Sequence, residues 1–403
     1  MAPASLTWIP AMPNRSTRLH TVDVLRGLIM VVMALDHTRD YFHHDAFVFD
    51  PTNLEKTHAA LFFTRWITHF CMPGFVLLAG LSMALALQHK NKKELSGYLL
   101  SRGLWLIVLD VTVLRFAYFF NFYYDVTFLS VLWLFGVGMI VMSAFIHLPR
   151  TVLLVFGSVL FLFHDLSALV TVAPRTPLHA LWTVLMRVGF IPLSADVSVL
   201  VTYPIIPWLS VMVLGFCMGT WFEPTEVATH RRKSLQQVGG ALIVLFVVLR
   251  WFNVGDPAPW SVQSSPTFTL LSFLNVSKYP PSLPFLLITL GPLLLLLAWL
   301  EGRSMKALNP LRQIGRVPLF YFIVHFFLIH TMALLSYLYN TGQSWGKLDF
   351  HFSQSFGGIT PAGGVTLVWV YAWWAVVVAV MYFLCRWFDA AKSRGTSSWW
   401  RFL

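Results

Sequence analysis

Long apolar runs alternate with short polar connectors along most of the chain. Ten runs stand out, at 22–42, 66–88, 98–119, 127–147, 151–170, 203–222, 236–254, 283–300, 316–338 and 365–387. Each is close to the ~20 residues that a helix needs to cross a bilayer. The pattern weakens within 178–200, where it predicts an eleventh, shorter or re-entrant helix. The expected architecture is therefore all-α. One helical bundle spans a membrane over 22–387, flanked by polar segments at 1–21 and 388–403. Two connectors, 43–65 and 255–282, are too long to be simple turns and carry apolar and aromatic residues, so they are expected to fold back onto the bundle. "MPGFVLLAG" in the second run and "IPWLSVMVLG" in the sixth echo one another. The echo is too short to establish the duplication on which many transporters are built.

Composition agrees. Of 403 residues, 57% are hydrophobic, 16% aromatic and 11% charged. Soluble domains carry about 25% charged residues, so a water-soluble fold is excluded. The net charge of +11 would suit nucleic acid, but its placement does not. The cations gather between runs, as Lys90, Lys92 and Lys93, then Arg231, Arg232 and Lys233, then Arg303, Lys306, Arg312 and Arg316, then Arg386, Lys392, Arg394 and Arg401. That pattern predicts cytoplasmic loops. The partner is a lipid bilayer, and both termini are expected on the cytoplasmic side. Oligomeric state stays open, a homodimer included. Cys71, Cys217 and Cys385 lie in apolar runs without the spacing of a disulfide framework or a zinc site, so no metal is expected. The first 20 residues lack the apolar core of a signal peptide, so the first run is expected to persist.

Candidate chemistry collects where the first run ends. "MALDHTRDYFHHDAF" holds Asp36, His37, Arg39, Asp40, His43, His44 and Asp45. Ionisable groups within spans are costly and point to function. Arg65, Trp66 and His69 open the second run in "FFTRWITHFCMPGF". Counting ~1.5 Å per residue from Arg26 puts His37 about 16 Å in. The two runs are antiparallel, so His37 and His69 are expected to face each other. A neutral imidazole can serve as base or nucleophile, and Asp36 would orient His37. His43, His44 and Asp45 read as a hydrated rim. His325 and His330 lie in the ninth run, about 13 and 21 Å beyond Arg316 and turned ~140° apart, so one of them is expected to be structural. Asp110 and Arg115 are expected to form ion pairs between helices. Lys278, with Tyr279 beside it in "NVSKYPPS", lies at the outer mouth, where it would meet an anionic ligand or a headgroup. No phosphate loop, HExxH or GxSxG is present. A nucleotide-bearing group would have to be held between helices by isolated Arg and Lys.

"TVDVLRGLIMVVMALDH" resembles the S-x-D-x-x-R-G opening of the heparan-α-glucosaminide N-acetyltransferase catalytic-domain family, with Thr21 in the Ser position. "FCMPGFVLLAGLSMAL" is similar to its second span, and "YPIIPWLSVMVLGFCMG", "SKYPPSLPFLLITLG" and "IGRVPLFYFIVHFFLIH" resemble its bacterial branch. The resemblance implies a multi-pass acyltransferase of a bacterial inner membrane. It would move an acetyl group from acetyl-CoA to a sugar amine or hydroxyl, or to another small-molecule or glycan acceptor of the envelope. The family's catalytic histidine lies in the loop after the first span, where His58 stands, but "HAALFF" lacks the Trp-Asn-Gly that follows it there. The expected catalytic set is His69, His37, Asp36 and His58. Arg39, Arg65, Trp66, Lys278, Tyr279, His325 and His330 are expected to hold acceptor or cofactor. The rival is a proton-coupled transporter using the same His and Asp groups.

Overall fold

The computed structural model describes residues 20–223, 225–303 and 306–394; most of the 1–21 segment and the end of the 388–403 tail lie outside them. The chain is a helical bundle. Helix α1 is His20–Phe42, α2 Ala59–Ile67, α3 Cys71–Leu87, α4 Lys92–Leu109, α5 Arg115–Phe119, α6 Val131–Phe145, α7 Arg150–Phe163 and α8 Pro177–Met186. Then come α9 Ile205–Cys217, α10 Ala228–Trp251, α11 Pro266–Leu274, α12 Leu283–Leu300, α13 Asn309–Gly315, α14 Pro318–Thr341 and α15 Leu367–Arg394. Among the described residues, eight helical segments are long and apolar enough to cross a membrane. Helix α1 misses that standard because Asp23, Arg26, Asp36 and Arg39 lie within it. Helix α6, at 15 residues, is short.

Several boundaries differ from the periodicity. The second run starts at 59 rather than 66, since His58 caps α2. A tighter turn at Thr68–Phe70, with His69 in it, then joins α2 to α3 within one helical segment, Ala59–Leu87. The expected helix at 127–147 begins as a strand, β1 Val126–Leu129. In 178–200 only α8 is helical; β2 Gly189–Pro192 and β3 Ser198–Val201 follow. β3 pairs parallel to β1 and antiparallel to β2, giving a small sheet in an otherwise helical fold. Each strand has only four residues, too few for an alternating pattern to emerge from apolar surroundings.

Small residues decide which helices touch. A Cβ built on Gly27 of α1 would fall 1.8 Å from the Leu311 carbonyl oxygen, and one on Gly315 would fall 1.9 Å from that of Asp23. Gly80 and Gly215 play the same part between α3 and α9, and Gly239 and Gly291 between α10 and α12. Within a bilayer, apolar burial does not drive helices together, so close backbone approach must supply the packing energy. Asp110 and Arg115 do not form the expected inter-helix ion pairs. Asp110 accepts the Ser130 amide at 2.9 Å and its hydroxyl at 2.5 Å, fixing the start of α6. Arg115 donates to Asn121 Oδ1 at 2.6 Å and pairs with Asp125 at 3.1 Å, holding the turn after its own helix.

Candidate active site

At the end of the bundle that carries the cation clusters, α1, α3, α4, α6 and α14 surround a cavity of about 490 Å³. Arg26, Arg102, Arg316, Lys392 and Asp23 line it with Tyr98. Deeper in, the wall is apolar and includes Met30, Phe135, Met139 and Phe322. Arg26 is fixed: it donates to Asp23 at 3.1 Å, to the Gly315 carbonyl at 3.1 Å and to Ser82 Oγ at 2.9 Å. Thr21 donates to Glu301 at 3.0 Å, and Glu301 pairs with Arg231 at 2.6 Å. The T-x-D-x-x-R-G pattern thus ties α1 to its neighbours at this end. The cations at one end and the apolar wall at the other fit a molecule that is anionic at one end and long and apolar at the other.

Phe322 connects this cavity to the histidines. Its ring centroid is 5.8 Å from His325, which is 5.3 Å from His37. His325 is fully buried, and its Nδ1 lies 3.0 Å from the Tyr321 carbonyl. That oxygen can only accept, so Nδ1 carries the hydrogen. In the neutral ring the lone pair is on Nε2, which has no partner. His69 is likewise buried, with Nδ1 unpartnered, and its ring packs 5.5 Å from Phe285. The ring contacts of His37 and His69 are therefore with different helices, α14 and α12, and not with each other as expected.

Beyond the histidines lies a charged cluster. Asp36 Oδ2 accepts Arg65 Nη1 at 2.5 Å, and Oδ1 stands 3.0 Å from Arg39 Nη2, which also meets Asp40 at 2.5 Å. Asp36 is thus committed to two arginines and does not orient His37. Lys278 is 9% exposed and lies within Coulomb range of Asp36, His37 and His69. Its Nζ sits 5.2 Å from the Tyr279 ring. The Tyr279 ring lies 6.1 Å from that of Tyr203. Loss of water pushes the Tyr279 phenol up, but Lys278 and Arg65 together outweigh this and leave it below its ordinary value. The potential at this mouth is positive. Trp66 donates to the Leu274 carbonyl at 3.1 Å, closing α11.

The turn that carries Lys278 is built by residues the sequence reading missed. Asp256 accepts the Ser277 amide at 3.0 Å and the Ser282 hydroxyl at 2.6 Å. Asp165 accepts the Leu283 amide at 2.7 Å, and His164 Nε2 lies 2.9 Å from the Pro281 carbonyl. Arg250, buried to 1%, donates to the carbonyls of Ala258, Ser272, Phe273 and Asn275. A lone Arg near the outer end of a predicted span was the available signal.

Three other histidines stand apart. His330 sits between two carbonyls, Nδ1 at 2.9 Å from Ala117 and Nε2 at 2.7 Å from Gly357, so both nitrogens are occupied by backbone. His58 is exposed at the cap of α2, where its Nδ1 accepts the Leu61 amide at 3.4 Å. Eleven helical residues separate it from His69, roughly 16 Å of rise. His43 is 4% exposed, not part of a hydrated rim, because its backbone pairs with Val365 and its ring stacks on His44 at 4.4 Å. Burial, reinforced by His44, pushes its imidazole down to about 4. His43, His44 and Asp45 bring ligand-type atoms within 4.8 Å of one another. His43 Nδ1 already accepts the Asp45 amide at 3.2 Å and His44 pairs with Asp45 at 2.9 Å, so the group is spent on its own turn.

Residues 18–251, more than half of the chain, match the family model described as heparan-alpha-glucosaminide N-acetyltransferase, catalytic. The matched stretch includes α1, the whole of the second run and "YPIIPWLSVMVLGFCMG", and ends before the Lys278 turn and α14. Comparison with curated proteins gave no match. The chain belongs to the heparan-α-glucosaminide N-acetyltransferase catalytic-domain family.

Proposed function

We propose that this multi-pass membrane protein transfers an acetyl group from acetyl-CoA, held in the cavity at the basic end, to an amine or hydroxyl of an envelope acceptor at the opposite mouth. The observation that carries the reading is the pair of buried imidazole nitrogens without partners, His325 Nε2 and His69 Nδ1. His325 lies next to the residue that ends the cavity, and His69 within range of the Asp36, Arg65 and Lys278 group. Arg26, Arg102, Arg316 and Lys392 would hold phosphates, and the apolar wall the pantetheine arm. His69 would take the proton from the acceptor as its nitrogen or oxygen attacks the thioester carbonyl. The C–S bond then breaks and the proton passes to the departing thiolate. Arg39 or Arg65 would offset the charge that develops on the carbonyl oxygen. His37 and His325 would line the path between the two compartments. By the positive-inside rule the basic end is cytoplasmic, in a bacterial inner membrane.

Turnover of purified variants tests this. His69→Ala should lower acetyl transfer by about 10²–10⁴-fold, the contribution of one positioned acid–base group, and His325→Ala, which alters only the path, should cost less, while both proteins stay monodisperse. His58→Ala should lose little, since it removes only a helix cap. A dead His58→Ala beside an active His69→Ala would return catalysis to the loop histidine. Proton-coupled flux in liposomes without acetyl-CoA binding would favour transport instead.

A further inference from the structure

We propose that the Ser277–Ser282 turn presents Lys278 as a fixed seat for an oxyanion, so that the acceptor is a negatively charged molecule bearing a phosphate or carboxylate. This rests on the acetyl-transfer reading and adds the acceptor's class to it.

The charge balance at the mouth is the first support. Two acids, Asp36 and Asp40, face three cations, Arg39, Arg65 and Lys278. Both acids are already committed to arginines. Lys278 is left over: the residue is nine-tenths buried, it forms no ion pair with a carboxylate among the described residues, and its ammonium stands 5.2 Å from the centre of the Tyr279 ring. Arg39 adds a second open donor. It is 4% exposed, and its Nη1 has no hydrogen-bond partner. Two cationic donors from different parts of the chain, each lacking an acceptor, describe a site for a group rich in lone pairs.

Rigidity is the second support. Lysine side chains at surfaces are mobile, and holding one in place costs entropy. Here the backbone on either side is tied down: Ser277 and Ser282 to Asp256, Pro281 to His164, Leu283 to Asp165. Ser282 also donates its amide to the Ser277 carbonyl at 3.0 Å, closing the turn on itself. Preorganisation of this kind favours binding over mere solubility. Access is the third support. Tyr279 is 41% exposed and the Asp36 and Arg65 side chains keep 11% and 12% of their surface, so the group meets solvent. His69 Nδ1 lies within the same Coulomb neighbourhood. An acceptor anchored by its anion at Lys278 would present a neighbouring amine or hydroxyl to it.

Full-length protein in nanodiscs of phosphatidylcholine, which offers no net anionic headgroup, should be titrated calorimetrically with glucosamine 6-phosphate, glucuronate and glucosamine. At least one anionic probe should bind about tenfold or more tightly than glucosamine, the equivalent of one charge-assisted hydrogen bond. Which of the two it is separates phosphate from carboxylate. Lys278→Gln should erase the preference and Lys278→Arg should keep it. Equal affinity for charged and neutral probes, or no binding of either anion at millimolar concentration, overturns the proposal from the wild type alone. So does a preference that survives in Lys278→Gln. Acetyl-CoA is titrated into the same samples. If it fails to bind while the Lys278-dependent preference holds, the transfer reading falls and the anion seat stands. If it binds and no preference is seen, the seat falls and the transfer reading stands.

Discussion

Arg250 offers the sharpest test of how the outer mouth is built. It sits at the last turn of α10 and sends four hydrogen bonds, 2.6–2.9 Å long, to carbonyls in the 255–282 connector. The substitution Arg250→Met keeps much of the side-chain length and removes every one of these bonds. Hydrogen bonds to a charged donor are worth roughly 1.5–3 kcal/mol each, but the four do not add. Once the connector lifts, its carbonyls regain water, so the loss is capped by the free energy of that local opening. A loss of about 3 kcal/mol is a fair value, which raises the open population roughly a hundredfold. Hydrogen–deuterium exchange read by mass spectrometry should therefore show faster exchange across 255–282, with α3 and α12 unchanged. Arg250→Lys should recover little, because a point charge cannot reach four carbonyls at once. Exchange in 255–282 that stays within a factor of about three of wild type would refute the reasoning. Equal acceleration through the whole bundle would refute it too, by showing that Arg250 holds the fold and not this connector.

Three further outcomes follow from the same geometry. Gly27→Ala should sharply reduce the yield of monodisperse protein by fluorescence-detected gel filtration, since the added carbon meets the Leu311 carbonyl at 1.8 Å and neither backbone can yield cheaply. Arg316→Ala should weaken CoA binding about tenfold, by the loss of one charge-assisted contact, while leaving the affinity for acceptor probes unchanged. Burial pushes the His43 imidazole down to about 4 in the folded chain, against an ordinary 6.5. Between those values the unfolded chain binds more protons, so stability should fall as pH drops from 6.5 towards 4 and level off below. A flatter melting-temperature profile in His43→Gln would agree, and an unchanged slope would contradict it.

The apolar runs were legible because a membrane span is a long, redundant signal: losing one residue of α12 or α14 changes nothing in the pattern. Their partners were not legible, because spacing gives the face of a helix and not what it meets. His37 and His69 were expected together, yet one packs on His325 and the other on Phe285. His325 and His330, five residues apart, do meet different surroundings. Their angular separation sends one towards the cavity wall and the other into the backbone of 117 and 357. Asp36 pairs with Arg39 at i+3 on its own helix, a spacing the sequence carries, but its pairing with Arg65 of α2 leaves no trace in sequence order. Arg250, Asp256, Asp165 and His164 were missed for the same reason. Each acts on main-chain atoms more than 20 residues away or in another segment, and a carbonyl looks alike in every residue.

Helix α1 shows why the family pattern lies so far from the proposed chemistry. Asp23 and Arg26 sit at the cavity end and Asp36 and Arg39 at the other, thirteen residues or about 20 Å apart between the two acids. The pattern residues contact Ser82, Gly315 and Glu301, and none of them reaches His69 or Lys278. Their effect is to lock the helix axially: Arg26 cannot slide without breaking two inter-helix bonds, and Gly27 holds α1 flush against α13. A rigid helix pinned at one end sets the position of its other end to within a fraction of a turn. The transfer proposed above, with a donor from one side and an acceptor from the other, would need that register, since misplacement of reacting groups by about 1 Å can cost a hundredfold in rate. On that reading the charges that make α1 a poor span by composition serve at both ends. Arg26→Lys, which keeps a cation in the cavity but cannot hold both inter-helix bonds, should therefore depress turnover even at saturating acetyl-CoA, as a displaced Asp36 would no longer meet Arg65 in register.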